Sequence, residues 1–251
     1  MPRLDGLRVR FDAGWQHRRK FGFLLNAMEQ TVEEDLIAMC PAGVSLHFSR
    51  MRIADDASLE NLRHAAENIR AAAAVLLAGA PLDVLTYTCS SSVAVNGEER
   101  IYAILRDVRP KSILNNALDS SVRAIKHLGG HSSTLLTPYT DDINRAVRRF
   151  IEARGVAVAH VYGMGLTTNA EIDTVASGFI EEAALALADD YPADVVFICC
   201  GSLRALSVIN RVEAIAGVPV VTSNQAMMWA CLQDTGVPYR SSEYGALWRT
   251  R

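Results

Sequence analysis

Short apolar runs alternate with longer amphipathic stretches from residue 21 onward. Apolar runs bounded by polar or turn residues are typical of buried β-strands. They predict strands at 21–26, 44–49, 83–88, 112–116, 133–137, 156–161, 194–199 and 218–222. Between them, apolar residues recur at close to 3.6-residue spacing, which is typical of amphipathic helices. This spacing predicts helices at 58–78, 141–153, 170–188 and 203–214.

The alternation of strands and helices predicts an α/β fold in which right-handed helical crossovers join parallel strands. Two architectures fit: one eight-stranded barrel, or two open, doubly wound four-stranded sheets that face each other. The segment from Asp83 resembles the segment from Asp194, since each continues as an apolar strand, a cysteine (Cys89 or Cys200) and small residues. This similarity favours two similar lobes that each place a thiol at a shared cleft.

The composition narrows the class of protein. A chain of 251 residues, half of them apolar, is typical of one large or two small globular domains. A net charge of −3 gives no basic field for nucleic acid or an anionic membrane surface. No apolar run reaches the roughly 18 residues of a membrane span, and the N-terminus lacks the apolar region of a signal peptide. We therefore expect a cytoplasmic protein without a nucleic-acid or membrane partner.

The first twenty residues form a basic arm ahead of the first predicted strand. Its charged residues are Arg3, Arg8, Arg10, Arg18, Arg19 and Lys20. We expect a solvated arm, and the alternative is a contact between subunits.

The cysteines are the main candidates for chemistry: Cys40, Cys89, Cys199, Cys200 and Cys231. No CxxC pair and no Cys/His cluster has the spacing of a zinc site, so we expect neither a metal nor an organic cofactor. Reduced thiols indicate a reducing compartment. If the strand alternates, Cys199 points away from Cys200 and into the core.

Cys89 and Cys200 end predicted strands, and ligands of open α/β sheets bind beyond the carboxyl ends of strands. A helix that begins after each cysteine would favour the thiolate. The residues that follow them are small: Ser90, Ser91, Gly201 and Ser202. A substrate carboxylate could therefore approach the backbone N–H groups of both loops.

Two thiols that flank one substrate allow two cofactor-independent reactions. A thiolate on one face and a thiol on the other can deprotonate and reprotonate a carbon, which racemises it. With an activated double bond, one thiolate can instead add and later leave, which permits cis–trans isomerisation. The alternative interpretation is that both cysteines are buried core residues.

Several segments resemble one family: Thr31-Val-Glu33, Tyr87-Thr-Cys89-Ser, Thr137-Pro-Tyr139, Thr168-Asn169-Ala-Glu171, Cys200-Gly-Ser-Leu and Gly217-Val-Pro-Val-Val-Thr-Ser-Asn224. The chain is similar to the aspartate/glutamate racemase superfamily, in the branch of maleate cis–trans isomerase and arylmalonate decarboxylase. The resemblance implies two pseudo-symmetric lobes rather than a barrel. The first would comprise 21–127 and the returning segment 223–251, and the second 128–222. It also implies a dimer or larger homo-oligomer.

The resemblance also implies roles for individual residues. The first cysteine of the isomerases is the nucleophile and the second the proton donor, which correspond to Cys89 and Cys200. Tyr139 and Asn169 match positions that contact the substrate carboxylate. The decarboxylases have glycine at the first cysteine position, so the presence of Cys89 favours isomerase or racemase chemistry. Without the resemblance, Tyr139 is equally a core aromatic, and Asn169 is a helix N-cap.

Glu29 departs from the family pattern. It, or with a one-residue slip Gln30, aligns where the isomerases carry an Asn that binds a substrate carboxylate. Like charges about 4 Å apart repel by about 4 kcal/mol at an intermediate dielectric, so a second substrate carboxylate would be disfavoured. An amine or a neutral polar group would fit better there. The alternative interpretation is a solvated residue in the first turn of a helix.

Three hypotheses follow. The first is a two-cysteine isomerase or racemase of a small carboxylate. The second is a lyase that decarboxylates a substituted malonate and requires Cys200 alone. The third is a non-catalytic protein that binds a small carboxylate in the same cleft.

Overall fold

The strands form two open parallel sheets. A computed structural model describes residues 7–14, 18–56 and 58–249. Its strands are β1 (Arg19–Asn26), β2 (Val44–Met51), β3 (Val84–Tyr87), β4 (Ile113–Asn116), β5 (Ser132–Thr137), β6 (Ala157–Gly163), β7 (Val195–Ile198) and β8 (Val220–Thr222). The sheet orders are β2-β1-β3-β4 and β6-β5-β7-β8, so the halves share one topology. The two-lobe prediction is confirmed and the barrel alternative is wrong.

Helices connect the parallel strands. They are α1 (Val32–Ala38), α2 (Leu59–Val75), α3 (Ser90–Asn96), α4 (Glu98–Val108), α5 (Ala117–His127), α6 (Asp141–Glu152), α7 (Asn169–Asp173), α8 (Ser177–Asp190), α9 (Ile209–Ala216), α10 (Ser223–Thr235) and α11 (Gly245–Arg249). A 3₁₀ turn at Leu206–Val208 precedes α9. The last long helix, α10, packs against α5 and β4 of the first sheet.

Several predicted bounds differ from the structure by a few residues, and three elements illustrate the differences. The helix predicted at 170–188 is two helices, because the Thr174 hydroxyl donates back to the carbonyl of Glu171 at 2.8 Å and Ala176 is extended. The helix predicted at 203–214 begins later, after a turn described below. β1 begins two residues earlier than predicted, because Arg19 pairs with Asp83 at 3.0 Å and joins the sheet.

The central strands are buried on both faces, which explains their unbroken apolar runs. Phe21, Phe23 and Leu24 of β1 are fully buried. They belong to a hydrophobic cluster that continues into the second lobe through Leu135 and Phe197. Because this cluster crosses between the sheets, the lobes share a core that fixes the cleft between them.

The described part of the arm makes no part of this core. At residues 7–14 every side chain is exposed, including Leu7, Val9 and Phe11. Arg3 lies outside the described residues. Within the described ranges, no helix is long and apolar enough to cross a membrane.

Candidate active site

A small cavity lies between the lobes, where β1, β3, β5 and β7 end. Its volume is about 40 Å³, so it is small. It is lined by all the residues that the sequence predicted for the site: Glu29, Cys89, Ser90, Ser91, Tyr139, Asn169, Cys200, Gly201 and Ser202. A larger open groove of about 560 Å³ near Asp83 and Lys111 contains none of them. The chemistry-bearing side chains therefore meet at one place.

Cys89 is the N-cap residue of α3 and is 9% exposed. Its Sγ accepts a hydrogen bond from Nδ2 of Asn26 at 3.5 Å and shares one with the Ser91 hydroxyl at 3.4 Å. Both groups can donate to sulfur, so a charged Cys89 would have hydrogen-bond partners. Among the predicted residues, Cys89 best fits a nucleophile.

Cys200 has different surroundings. Burial raises the pKa of its thiol to about 12, and the negative charges of Cys89 and Glu29 act in the same direction. Hydrogen bonds from the Tyr139 hydroxyl and the Ser202 backbone oppose the shift without cancelling it. Cys200 is therefore protonated at neutral pH and is suited to donating a proton.

The predicted helix start directly after Cys200 is wrong. The chain forms a turn there, with the Leu203 N–H donating to the Cys200 carbonyl at 3.4 Å. The Gly201 carbonyl accepts from Asn224 at 2.8 Å, and the Ser202 carbonyl accepts from the Thr31 hydroxyl at 3.1 Å. These contacts with residues far along the chain hold the segment as a turn, and α9 begins only at Ile209, so the predicted thiolate-favouring helix terminus is absent at Cys200.

Tyr139 lies close to the sulfurs of both Cys89 and Cys200. It is 4% exposed, and burial raises the pKa of its phenol well above the usual value, with the nearby Cys200, Cys199 and Cys89 adding to the shift. Its hydroxyl therefore remains a neutral donor, hydrogen-bonded to the sulfur of Cys200. Cys199 itself is fully buried.

Asn169 is the first residue of α7, and the N-cap interpretation is wrong by one residue. Thr168 is the N-cap and forms a capping box with Glu171. The Asn169 backbone N–H donates to Oδ1 of Asp55 at 3.0 Å. The Asn169 side chain takes no part in this capping box, and Asn169 lines the cavity.

Glu29 combines the two interpretations of its sequence position. It is 5% exposed, and its carboxylate accepts the Thr31 N–H at 2.8 Å and the Val32 N–H at 2.9 Å, so it satisfies the first turn of α1. It also lines the cavity, whereas Gln30 donates to Asp173 at 2.9 Å on the surface. Burial raises the pKa of Glu29 more than these backbone bonds lower it.

Sequence reasoning missed Asn26, Asp35 and Asn224 as site residues. Asn26 ends β1, and a polar residue at the carboxyl end of a strand was the available signal. Nδ2 of Asn224 bridges Oδ2 of Asp35 and the Gly201 carbonyl, each at 2.8 Å. No local pattern marks this bridge, because its members come from α1, α10 and the turn after Cys200.

The fold and the cavity define a class of protein: a two-lobed α/β protein in which one thiol from each lobe lines a shared small cleft. The family model of arylmalonate decarboxylase matches residues 56–248. The chain belongs to this family, which confirms the resemblance seen in the sequence.

Individual relatives of the chain have two different activities in their names. A maleate isomerase from Nocardia farcinica is 24% identical over 243 residues, covering 92% of this chain and 96% of that protein. The arylmalonate decarboxylase of Bordetella bronchiseptica is 29% identical over 130 residues, covering 51% of this chain and 52% of that protein.

Solved structures share the fold. A cysteine-to-serine mutant of the Nocardia farcinica maleate cis–trans isomerase, with a covalently bound succinylcysteine intermediate, matches with a TM-score of 0.84 and 21% identity. The match covers 92% of this chain and 98% of that one. An arylmalonate decarboxylase matches with a TM-score of 0.71 and 18% identity, covering 92% of this chain and all of that one.

Proposed function

We propose that this protein is a cofactor-independent isomerase that moves a small unsaturated carboxylate between its cis and trans forms. The supporting observation is the pair of thiols, Cys89 and Cys200, which line one small cavity from opposite lobes in different surroundings. The relatives named maleate isomerase support the reaction class, and the succinylcysteine in the Nocardia farcinica enzyme supports a thiol adduct.

The forward half of the reaction is an addition. The Cys89 thiolate forms a sulfur–carbon bond to one alkene carbon, and the π electron pair moves to the neighbouring carbon beside the carboxylate. That carbon takes the proton of the Cys200 thiol, whose raised pKa keeps it protonated until this step. The product is a saturated thioether in which the former double bond is a single bond and can rotate.

The reverse half restores the alkene after rotation. The Cys200 thiolate removes a proton from the same carbon, the electron pair re-forms the double bond, and Cys89 leaves as a thiolate. A thiolate whose conjugate acid has a high pKa is a strong base, which suits removal of a carbon-bound proton. No atom is gained or lost, so both thiols return to their starting states.

The other polar residues of the cavity have supporting roles in this proposal. The Tyr139 hydroxyl holds Cys200 by a hydrogen bond, and Asn26 holds Cys89. Ser90, Ser91, Ser202 and Asn169 supply hydrogen bonds for the substrate carboxylate. Both cysteines must be free thiols, as they are here, which supports a reducing compartment such as the cytoplasm.

Decarboxylation is the second candidate, favoured by the family model and the Bordetella bronchiseptica relative. It would need Cys200 to protonate the carbanion left by loss of carbon dioxide. It would not need a nucleophile at Cys89, so the retained thiol at that position favours isomerisation.

Single cysteine variants test the proposal. Cys89→Ala and Cys200→Ala should each lower the turnover of a cis-unsaturated carboxylate by about a thousandfold or more. Cys40→Ala, which removes a thiol outside the cavity, should retain wild-type turnover. Chromatographic separation of cis and trans isomers gives the rates. Full activity in either cavity variant contradicts the proposal, and carbon dioxide release from a substituted malonate by Cys89→Ala supports the lyase instead.

A further inference from the structure

The cavity has an acidic end that lacks a counter-charge. Of its described lining residues, only Glu29 and Asp56 carry carboxyl groups, and none is Lys, Arg or His. Asp56 accepts from the Ser58 N–H and the Asn61 amide, each at 3.0 Å, and neither donor carries a charge. A ligand therefore meets carboxyl groups and no cationic side chain among these lining residues.

The nearest cation does not neutralise Glu29. Arg50 donates to the Glu29 backbone carbonyl at 2.6 Å, and its other terminal nitrogen pairs with the Glu33 carboxylate at 2.5 Å. The repulsion from Asp173 raises the pKa of Glu29 more than the attraction of Arg50 lowers it. The charge of Arg50 is therefore directed at Glu33 and at a carbonyl oxygen, away from the ligand space.

The hydrogen-bonding groups at this end are acceptors with unused capacity. Oε1 of Glu29 accepts from Thr31 and Val32 at 2.8 and 3.1 Å, whereas Oε2 accepts only from Val32 at 2.9 Å. Each carboxylate oxygen has two lone pairs, so Oε2 can accept again. Oδ1 of Asn26, another lining residue, is buried and has no hydrogen-bond partner among the described residues.

We propose that Glu29 selects substrates with one carboxylate and, in place of a second, a nitrogen group that donates hydrogen bonds. An ammonium or carboxamide N–H can donate to Oε2 of Glu29 or to Oδ1 of Asn26. A dicarboxylate would bring a second carboxylate against the Glu29 carboxyl group and offer no donor to Oδ1 of Asn26, which is costly in a buried site. This inference rests on the proposed function, because it describes the substrate of the same two thiols.

Maleate and its monoamide, maleamate, form a matched pair of probes. We expect wild-type kcat/KM to be at least tenfold higher for maleamate than for maleate. Glu29→Gln keeps an oxygen for the α1 N–H groups and adds a donor for a carboxylate, so it should shift this ratio at least tenfold towards maleate. Glu34→Gln, which removes the same charge from an exposed position on α1, should leave the ratio unchanged. Glu29→Asn provides a second amide variant if Glu29→Gln folds poorly.

Equal or better wild-type use of maleate, with a ratio that Glu29→Gln does not change, overturns the inference and leaves the isomerase proposal intact. If neither probe is isomerised, alkylation of Cys89 by iodoacetamide still measures binding, because a bound probe protects the thiol. Stronger protection by maleamate than by maleate, reversed in Glu29→Gln, then supports the charge selection while the isomerase proposal fails. Equal protection, or none, overturns the charge selection.

Discussion

Asp35 is a titratable residue that is connected to the turn after Cys200 by the side chain of Asn224. It lies on α1, and its carboxylate accepts from Asn224, whose amide also holds the Gly201 carbonyl. Burial is the main cause that raises the pKa of Asp35 from 3.8 to about 7, and the nearby charges of Glu29 and Glu34 add to it. The hydrogen bond from Asn224 opposes this shift.

The raised pKa of Asp35 predicts that this residue's contribution to stability falls as the pH rises. The folded chain binds this proton more tightly than the unfolded chain, so the stabilisation is complete below about pH 4 and is lost as the pH rises through about 7. Asp35→Asn removes the titrating group and keeps an oxygen that can accept from Asn224. We expect the wild type to lose unfolding free energy relative to Asp35→Asn across this window, by up to about 1.4 kcal/mol per pH unit.

Urea unfolding of the two proteins at a series of pH values measures this difference. Glu182→Gln provides the control, because Glu182 is exposed on α8 and is not among the groups that shift the pKa of Asp35. A difference between wild type and Asp35→Asn that stays constant from pH 4 to 7 would show that Asp35 does not titrate as described.

At the scale of elements, the turn after Cys200 is held by the first lobe. A Cβ added at Gly201 would lie 2.7 Å from Cγ2 of Val32 and 3.2 Å from Oδ1 of Asn224. Val32 is fully buried and β-branched, so it cannot rotate away without cost. Glycine at this position therefore permits the close approach of the second lobe to α1.

Gly201→Ala should push the Cys200 turn away from α1. We expect a loss of about 1–3 kcal/mol in unfolding free energy, as is usual for overpacking, and a fall in kcat of about tenfold or more. Gly178→Ala is the matched control, since nothing lies within 4 Å of a Cβ at that helical position. It should stabilise α8 by about 0.5–1 kcal/mol without changing kcat. Wild-type kcat and stability in Gly201→Ala would contradict this description of the turn.

The strand before Cys200 could be predicted from the sequence, but the turn after it could not. The strand before Cys200 is visible as an apolar run, because burial on both faces imposes it. The turn after it is not visible, because the groups that hold its carbonyls lie far along the chain: Thr31 is 171 residues from Ser202. The break between α7 and α8 was also missed, since the apolar spacing continues across Thr174, whose hydroxyl contributes to ending the first helix.

The candidate residues themselves could be predicted because cysteines and small residues at strand ends form a local pattern. Their different environments could not be predicted. Cys200 was expected to favour a thiolate, but burial gives it a raised pKa, and burial depends on the packing of both lobes. Asn224 with its distant partner Asp35 is a comparable case, because only the fold brings them within hydrogen-bonding distance.

At the scale of the whole molecule, the duplicated topology explains why two thiols meet. Each sheet has the same strand order, and Cys89 and Cys200 each lie two residues beyond the end of the third strand of their sheet, β3 or β7. We propose that the first lobe comprises 21–127 and 223–251 and the second 128–222, which the packing of α10 on α5 supports. Facing lobes of one topology bring the two strand ends to opposite sides of one cavity.

The most direct test of the two-thiol proposal is to trap the covalent adduct. In Cys200→Ser the carbanion formed when Cys89 adds takes its proton from the introduced hydroxyl or from water, and no Cys200 thiolate is present to remove a proton again. The adduct of a substrate that the wild type isomerises should therefore outlast the measurement. We predict that intact mass spectrometry shows a gain of one substrate molecule, which peptide mapping assigns to Cys89, and that Cys89→Ala/Cys200→Ser shows no gain. A gain on another residue, or an unmodified Cys89 under conditions in which the wild type turns over, would contradict the proposal.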